Sequence, residues 1–221
     1  MNLRTKKKLQ YMKHKFIAIE GNIGVGKTSF AKRFAEENNS KLILESFSEN
    51  PFLPKFYKNP EQYAFSLELF FMSERYHQLK NQWSEDLFYK NKVADYFFMK
   101  SKIFAQNNLK KDELLLFNKL FDIMLASLPV PDLLVYLHSD IKRLQENIHS
   151  RGREFELNIQ NSYLKSIEES YFDYLKKQEI TSVLLIDVTN VDFVKNENNY
   201  RKICELISEK YTKGETKNII L

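Results

Sequence analysis

An α/β domain, with a parallel sheet wound between helices on both faces, is the fold this sequence predicts, and three observations carry that expectation. Short β-rich runs alternate with longer helical patterns. The runs KFIAIE at 15–20, KLILE at 41–45, KVADYF at 92–97, DLLVYL at 132–137 and SVLLID at 182–187 are partly apolar on both faces, as strands covered by helices on both sides are. The segments between them are long enough for crossover helices, which is what parallel pairing requires. Finally, only 5 glycines and 5 prolines serve all 221 residues, so no Gly- or Pro-rich linker divides the chain, and no repeat or low-complexity tract interrupts it.

Size and charge narrow the function classes. A chain of 221 residues with 43% hydrophobic content can bury one sizeable core, so a single domain over 13–221 is expected. The formal net charge of +5 suggests nucleic-acid binding until its placement is considered: Arg4, Lys6, Lys7 and Lys8 supply most of it. The remainder is nearly balanced and carries no long basic stripe, which argues against polymeric nucleic acid as a partner. Residues 1–12 read as a basic, disordered extension. The longest apolar stretches, LFFM at 69–72 and LPVPDLLVYL at 128–137, fall short of the roughly 20 residues that span a bilayer, so no membrane association is expected. One cysteine, Cys204, cannot form an internal disulfide, and the chain opens with no charged-then-apolar leader; the cytoplasm is the expected compartment.

The most specific signal follows the first β-rich run. Residues 21–28 read GNIGVGKT, the pattern G-x-x-x-x-G-K-[ST], and lead directly into the helical pattern SFAKRFAEE. Strand, loop and helix stand in the order that a phosphate cradle requires. Gly21, Gly24 and Gly26 allow a tight loop whose N–H groups, from Asn22, Ile23 and Val25 onward to Ser29, converge on phosphate oxygens at a helix N-terminus. Lys27 would reach the β- and γ-phosphates of ATP, and Thr28 would offer its hydroxyl to Mg²⁺.

A phosphate cradle alone does not define the acceptor. Glu45 ends the second β-rich run, and the strand ends of a parallel sheet open into the ligand crevice, where a carboxylate can accept the proton of an attacking hydroxyl. Arg151 and Arg153, in RGR after the helical DIKRLQENIHS, supply two forked cations suited to a lid over phosphates. His14, His77, His138 and His149 have no metal-ligand spacing, so zinc is not expected.

The run LESFSENPFLPKFYKNPEQYAFSLELFFMSERYHQL at 44–79 resembles the same region of bacterial deoxynucleoside kinases. So do the phosphate loop, DYFFMKSKIFAQNNL at 95–109, RGREFE at 151–156 and LLIDVTNVDF at 184–193. The similarity covers nearly all of 15–195 and is greatest to the deoxyguanosine and deoxyadenosine kinase branch. It implies a P-loop kinase fold with a five-stranded parallel sheet, a homodimer, ATP as donor, and Glu45 as general base toward a 5′-hydroxyl. It further implies that Arg151 and Arg153 belong to the lid, that Glu156 and Tyr57 hold the sugar 3′-hydroxyl, and that Asp192 and Phe193 lie in the loop around the donor adenine. The sequence departs from the family pattern after the third run. Many members carry an acidic residue, arginine and serine or threonine there, whereas this chain has Asp95, Tyr96 and Phe97. Asp95 can still hold Mg²⁺ through water, and Lys100 is a candidate to replace the missing cation.

Base preference is read from a helix predicted from Pro60 to about Lys80. Phe65, Glu68, Met72, Arg75 and Leu79 share one stripe of it. Two charges on an apolar stripe are costly without partners. The family commonly has glutamine at position 68; glutamate only accepts when ionised. Guanine offers donors at N1 and N2 and acceptors at O6 and N7, so Glu68 and Arg75 together would complement it, while a protonated Glu68 could still donate to adenine. Aromatic residues such as Phe65 and Phe98 could sandwich the base, although with 18 phenylalanines in the chain any one of them is more readily a core residue. Two other readings remain: a monophosphate kinase of the thymidylate kinase type, for which Lys55 and Lys58 are the only acceptor-phosphate cations, and a nucleotide-binding switch without transfer.

Overall fold

The computed structural model describes residues 13–46, 50–83 and 88–221, so the basic stretch holding Arg4, Lys6, Lys7 and Lys8 lies outside the described residues. Its strands are β1 (Phe16–Gly21), β2 (Lys41–Ile43), β3 (Lys92–Ala94), β4 (Leu133–His138), β5 (Ser182–Asp187) and β6 (Thr216–Ile220). All pair in parallel, in the order β2-β3-β1-β4-β5-β6. Central β1 has Ile17 opposite Val93 on one side and Leu133 on the other. Its whole length is buried, which is why FIAIE lacks polar alternation. From β1 the chain winds first toward β2 and β3 and later toward β4. The winding reverses at β1, and the crevice above such a reversal is where open α/β sheets bind ligands.

Among the described residues the helices are α1 (Lys27–Glu37), α2 (Leu53–Lys58), α3 (Pro60–Gln82), α4 (Lys100–Asn108), α5 (Lys111–Leu125), α6 (Ile141–Arg151), α7 (Asn161–Lys177) and α8 (Glu197–Ile207), with a 3-10 turn at Glu154–Glu156. One apolar cluster joins Phe30 and Phe34 of α1, Tyr200 and Ile203 of α8, and Ile17 and Ile19 of β1. The repeat of i and i+4 on α1 turns Phe30 and Phe34 to the same side. Another cluster sets Ile167, Tyr171 and Leu175 of α7 against Ala18, Leu134 and Val183. Among the described residues no helix is long and apolar enough to cross a membrane. Asp140 caps α6 by accepting from the Arg143 N–H at 2.7 Å, and Gly152, left-handed at φ 67°, ends it. That termination sets Arg151 and Arg153 on either side of the turn.

The structure differs from the sequence reading in two places. Among the described residues the sheet has six strands rather than five, because the polar tail YTKGETKNIIL, which carries no strand signal, contributes β6. The Val183 N–H donates to Glu215 O at 2.7 Å and Ser182 Oγ donates to Thr212 O at 2.9 Å, which draws the tail onto β5. An edge strand has one neighbour and alternates exposed and half-buried residues, so it needs no apolar run. Strands β2 and β3 are also shorter than the runs 41–45 and 92–97. The chain leaves the sheet after Ile43 and Ala94, which places Glu45 and Asp95 just past the strand ends.

Candidate active site

The loop between β1 and α1 has the strained backbone that its glycines permit. Gly24 has φ 88° and Gly26 φ 101°, values L side chains rarely adopt. A Cβ at Gly26 would also lie 3.0 Å from the Phe193 ring. The loop is tied down by its own side chains and by neighbours. Asn22 donates from Nδ2 to Leu164 O at 2.7 Å and accepts from the Ile23 N–H at 2.8 Å; Asn147 of α6 donates to Gly24 O at 2.9 Å. Lys27 Nζ donates to Gly21 O at 2.8 Å and Asn22 O at 2.9 Å. Burial lowers its amine to about 8, nearby Lys100 adds to the depression, and Glu20, Glu45 and Asp95 oppose it.

A cleft of about 580 Å³ runs from this loop along α6 to the segment after β5. Val25, Ser29, Asp192 and Phe193 line it. Asp192 Oδ1 accepts from the N–H groups of Val194 and Lys195, which shapes the segment's backbone. Ile23 lines a second cavity on the other side of the loop, and Asn22 faces α7 rather than either space.

That second cavity, about 110 Å³, lies among α2, α3, α4, α7 and the 3-10 turn. At its floor stands Glu45. Its Oε1 accepts from Arg75 Nε at 2.7 Å and its Oε2 from Lys100 Nζ at 2.6 Å, while Arg75 Nη1 donates to Ser101 Oγ at 2.8 Å. Burial pushes the Glu45 carboxyl up, but Lys100 and Arg75 outweigh it and hold it at about 2. Beside it, Asp95 Oδ1 accepts from the Glu45 N–H at 2.8 Å, and Asp95 Oδ2 accepts from Thr28 Oγ1 at 2.5 Å. Thr28 and Asp95 thus join the two sides of the crevice with oxygen donors only. Hard oxygens from one carboxylate and one hydroxyl are the kind of ligand that Mg²⁺ takes.

Glu68 and Arg75 both line this cavity and are both buried, but they do not meet: Arg75 is held by Glu45 and Ser101, whereas Glu68 Oε1 accepts from Asn108 Nδ2 at 2.7 Å. Opposite them are Tyr57, stacked on Phe155 with centroids 6.2 Å apart, and the buried Glu156. Arg151 pairs closely with Glu156 Oε2, and Arg153 with Glu156 Oε1 at 3.1 Å. Five residues, Gly24, Lys27, Thr28, Arg151 and Arg153, line both spaces.

Of the two readings open for Phe65 and Phe98, base sandwich or core, the structure places both in the core. Phe98 is buried and stacks on Phe121 at 4.8 Å, and Phe65 packs against the same cluster under α5, so neither faces the cavity. The aromatic walls are Phe56, Tyr57, Phe71, Phe104 and Tyr163. Tyr96, where the family pattern has arginine, is fully buried and donates to Gln78 Oε1 at 2.9 Å. Lys100 instead brings a cation to Glu45. Sequence reasoning missed Asn108 and Tyr163, which sit on separate helices with no motif to mark them. It also passed over Glu20, a fully buried carboxyl that accepts from the Phe97 N–H at 3.0 Å and Tyr171 Oη at 2.8 Å. A charged residue closing an apolar strand was the signal available.

A model of the family described as deoxynucleoside kinase matches residues 17–212. A deoxyguanosine kinase of Bacillus subtilis (strain 168) is 35% identical over 202 residues, which cover 88% of this chain and 96% of that protein. A deoxyadenosine/deoxycytidine kinase of the same organism is 28% identical over 203 residues, 89% of this chain and 93% of the other. Among solved structures, a deoxyadenosine kinase from M. mycoides with bound dATP superposes with a TM-score of 0.75 at 20% identity, covering 89% of this chain and 100% of that one. At that identity the likeness is one of fold.

Proposed function

Because the chain belongs to the deoxynucleoside kinase family, we propose that it transfers the γ-phosphoryl group of ATP to the 5′-hydroxyl of a purine deoxynucleoside, deoxyguanosine ahead of deoxyadenosine. The observation that carries this reading is the wall of five residues shared by the two spaces. A group passing from donor to acceptor must cross that wall, and Lys27, Arg151 and Arg153 put positive charge where the transferred phosphoryl group spreads its own.

The chemistry follows from the neighbours of Glu45. Phosphoryl transfer passes through a loose transition state, so the attacking oxygen needs aim before it needs deprotonation. A carboxyl held at about 2 is a weak base for a free hydroxyl, but it can accept a hydrogen bond from the 5′-hydroxyl and orient it. As the new P–O5′ bond forms and the bond to the β-phosphate oxygen breaks, the hydroxyl acidifies and its proton passes to Glu45, then to solvent. Until that transfer, Lys100 and Arg75 keep Glu45 ionised and fixed. Glu156 turns from the arginines to the 3′-hydroxyl with Tyr57, leaving Arg151 and Arg153 to the phosphates. Thr28 and Asp95 would hold Mg²⁺, which when bound would offset the negative charge of the triphosphate.

Deoxyguanosine is favoured because Glu68, an acceptor when ionised, faces the cavity, and because the relative at 35% identity is a deoxyguanosine kinase. Deoxyadenosine stands second on the deoxyadenosine/deoxycytidine kinase at 28%. A monophosphate acceptor is disfavoured by the Glu45 carboxylate at the cavity floor, whose neighbouring cations are already paired with it. We read residues 13–221 as one kinase domain, acting in the cytoplasm as a homodimer. The exposed Leu115, Leu116 and Ile123 of α5 support self-association, since apolar side chains of that size favour cover.

The test is to incubate the protein with MgATP and each natural deoxynucleoside separately and measure 5′-monophosphate. Deoxyguanosine and deoxyadenosine should both react, deoxyguanosine faster. Absence of any monophosphate from folded, ATP-binding protein would overturn the proposal.

A further inference from the structure

Glu68 is half satisfied. The residue lines the acceptor cavity and is 1% exposed; Oε1 accepts from Asn108, while Oε2 is buried without a hydrogen-bond partner. An amide N–H only donates, so Oε1 is an acceptor in either protonation state and any proton on Glu68 resides on Oε2. Asn108, at the end of α4, also donates to Tyr163 Oη at 3.2 Å, which holds the amide between α3 and α7. The cavity therefore presents one oxygen whose hydrogen-bonding sense depends on one proton.

Resting on the purine reading above, we propose that Glu68 selects the base by its protonation, admitting guanine when ionised and adenine when protonated, and that Asn108 positions the selecting oxygen. Guanine brings N1–H and N2–H donors to a carboxylate. Adenine brings an N1 acceptor, which meets an Oε2–H, and an N6–H donor. A mismatch leaves a buried donor or acceptor unpaired, which is what makes such contacts discriminating.

The surroundings balance the two forms. Arg75 on α3, Lys100 on α4 and the Asn108 amide favour the ionised carboxyl; Glu45 after β2 opposes it, and Tyr57 of α2 and Tyr163 of α7 face the same space. Glu156 of the 3-10 turn lies across it with Arg151 and Arg153. Burial outweighs the stabilising neighbours and holds the Glu68 carboxyl up to about 7. Both forms are thus populated near neutrality, and the ratio of guanosine-type to adenosine-type binding rises with pH. Where each base takes only its own form, that ratio changes by about tenfold per pH unit.

Calorimetric titration of the whole protein with deoxyguanosine and with deoxyadenosine, in two buffers of different ionisation enthalpy, reads the proton directly. Near pH 7 deoxyguanosine should release a proton fraction and deoxyadenosine should take one up. Glu68→Gln should abolish both exchanges and flatten the pH dependence of the kcat/KM ratio. Asn108→Ala should move the midpoint upward, since it removes a donor to the charged form, and it serves should Glu68→Gln not fold. Proton exchange of the same sign for both bases, or opposite signs that persist in Glu68→Gln, would overturn the proposal. Monophosphate formation with a pH-flat ratio sinks this inference and leaves the kinase; opposite proton exchange without monophosphate sustains it and sinks the kinase.

Discussion

The donor cleft and the acceptor cavity share a wall but are built by opposite means. The donor side is a backbone device: a loop strained at Gly24 and Gly26, the start of α1, and the segment at 192–195 folded around Asp192. The acceptor side is a side-chain device in which Glu68 and Arg75 of α3 are met by Glu45, Lys100, Tyr57 and Glu156 from four other parts of the chain. Backbone N–H groups serve any triphosphate, whereas a ring of side chains changes its preference when one member changes. The comparison teaches where each kind of specificity resides, and it also says which substitutions should separate the two sides.

The largest effect is expected at Glu45→Gln. Steady-state kcat/KM for the deoxynucleoside should fall by about 10²–10⁴-fold, the usual worth of a positioned acid–base group, while ATP affinity measured by calorimetry stays near wild type. Removing the counter-charge of buried Arg75 and Lys100 should also cost roughly 3–5 kcal/mol in urea denaturation. Arg151→Lys lies on the shared wall, and loss of the planar fork should lower kcat by about 10²-fold with smaller changes in either substrate's affinity. Equal losses in binding and kcat would place Arg151 on one side only. Gly26→Ala should act on the donor side alone, weakening ATP binding by about tenfold through backbone strain and the Phe193 contact, with deoxynucleoside affinity retained. Tyr57→Phe is the mildest: the acceptor KM should rise by about fivefold, the value of one hydrogen bond, and the KM for ATP should hold.

The same contrast explains what could be read from the sequence. The phosphate loop is local, so GNIGVGKT and the flanking strand and helix predict its glycines and Lys27 without any structure. The five apolar strands are legible for the same reason, each being buried by its own composition. Strand β6 is not, because an edge strand partnered on one side draws its order from β5 rather than from apolar residues. The acceptor cavity is legible in part: the end of the second β-rich run marks Glu45 and helix periodicity marks Glu68 and Arg75, whereas positions such as Tyr57 and Glu156 come only from resemblance. With 18 phenylalanines in the sequence, core is the better reading of Phe65 and Phe98, but helix periodicity does not say which other aromatic residues meet a ligand. Asn108 and Tyr163 gave no signal, since a pair formed between α4 and α7 exists only once both helices have packed.

Lys27, Thr28 and the two arginines border both spaces. Neither substrate can then rearrange this border without altering the affinity of the other, and thermodynamic reciprocity requires the factor to be the same in both directions. Whatever advantage a triphosphate gives to an incoming nucleoside, the nucleoside returns to the triphosphate. An enzyme so built responds to the product of two concentrations more than to either alone.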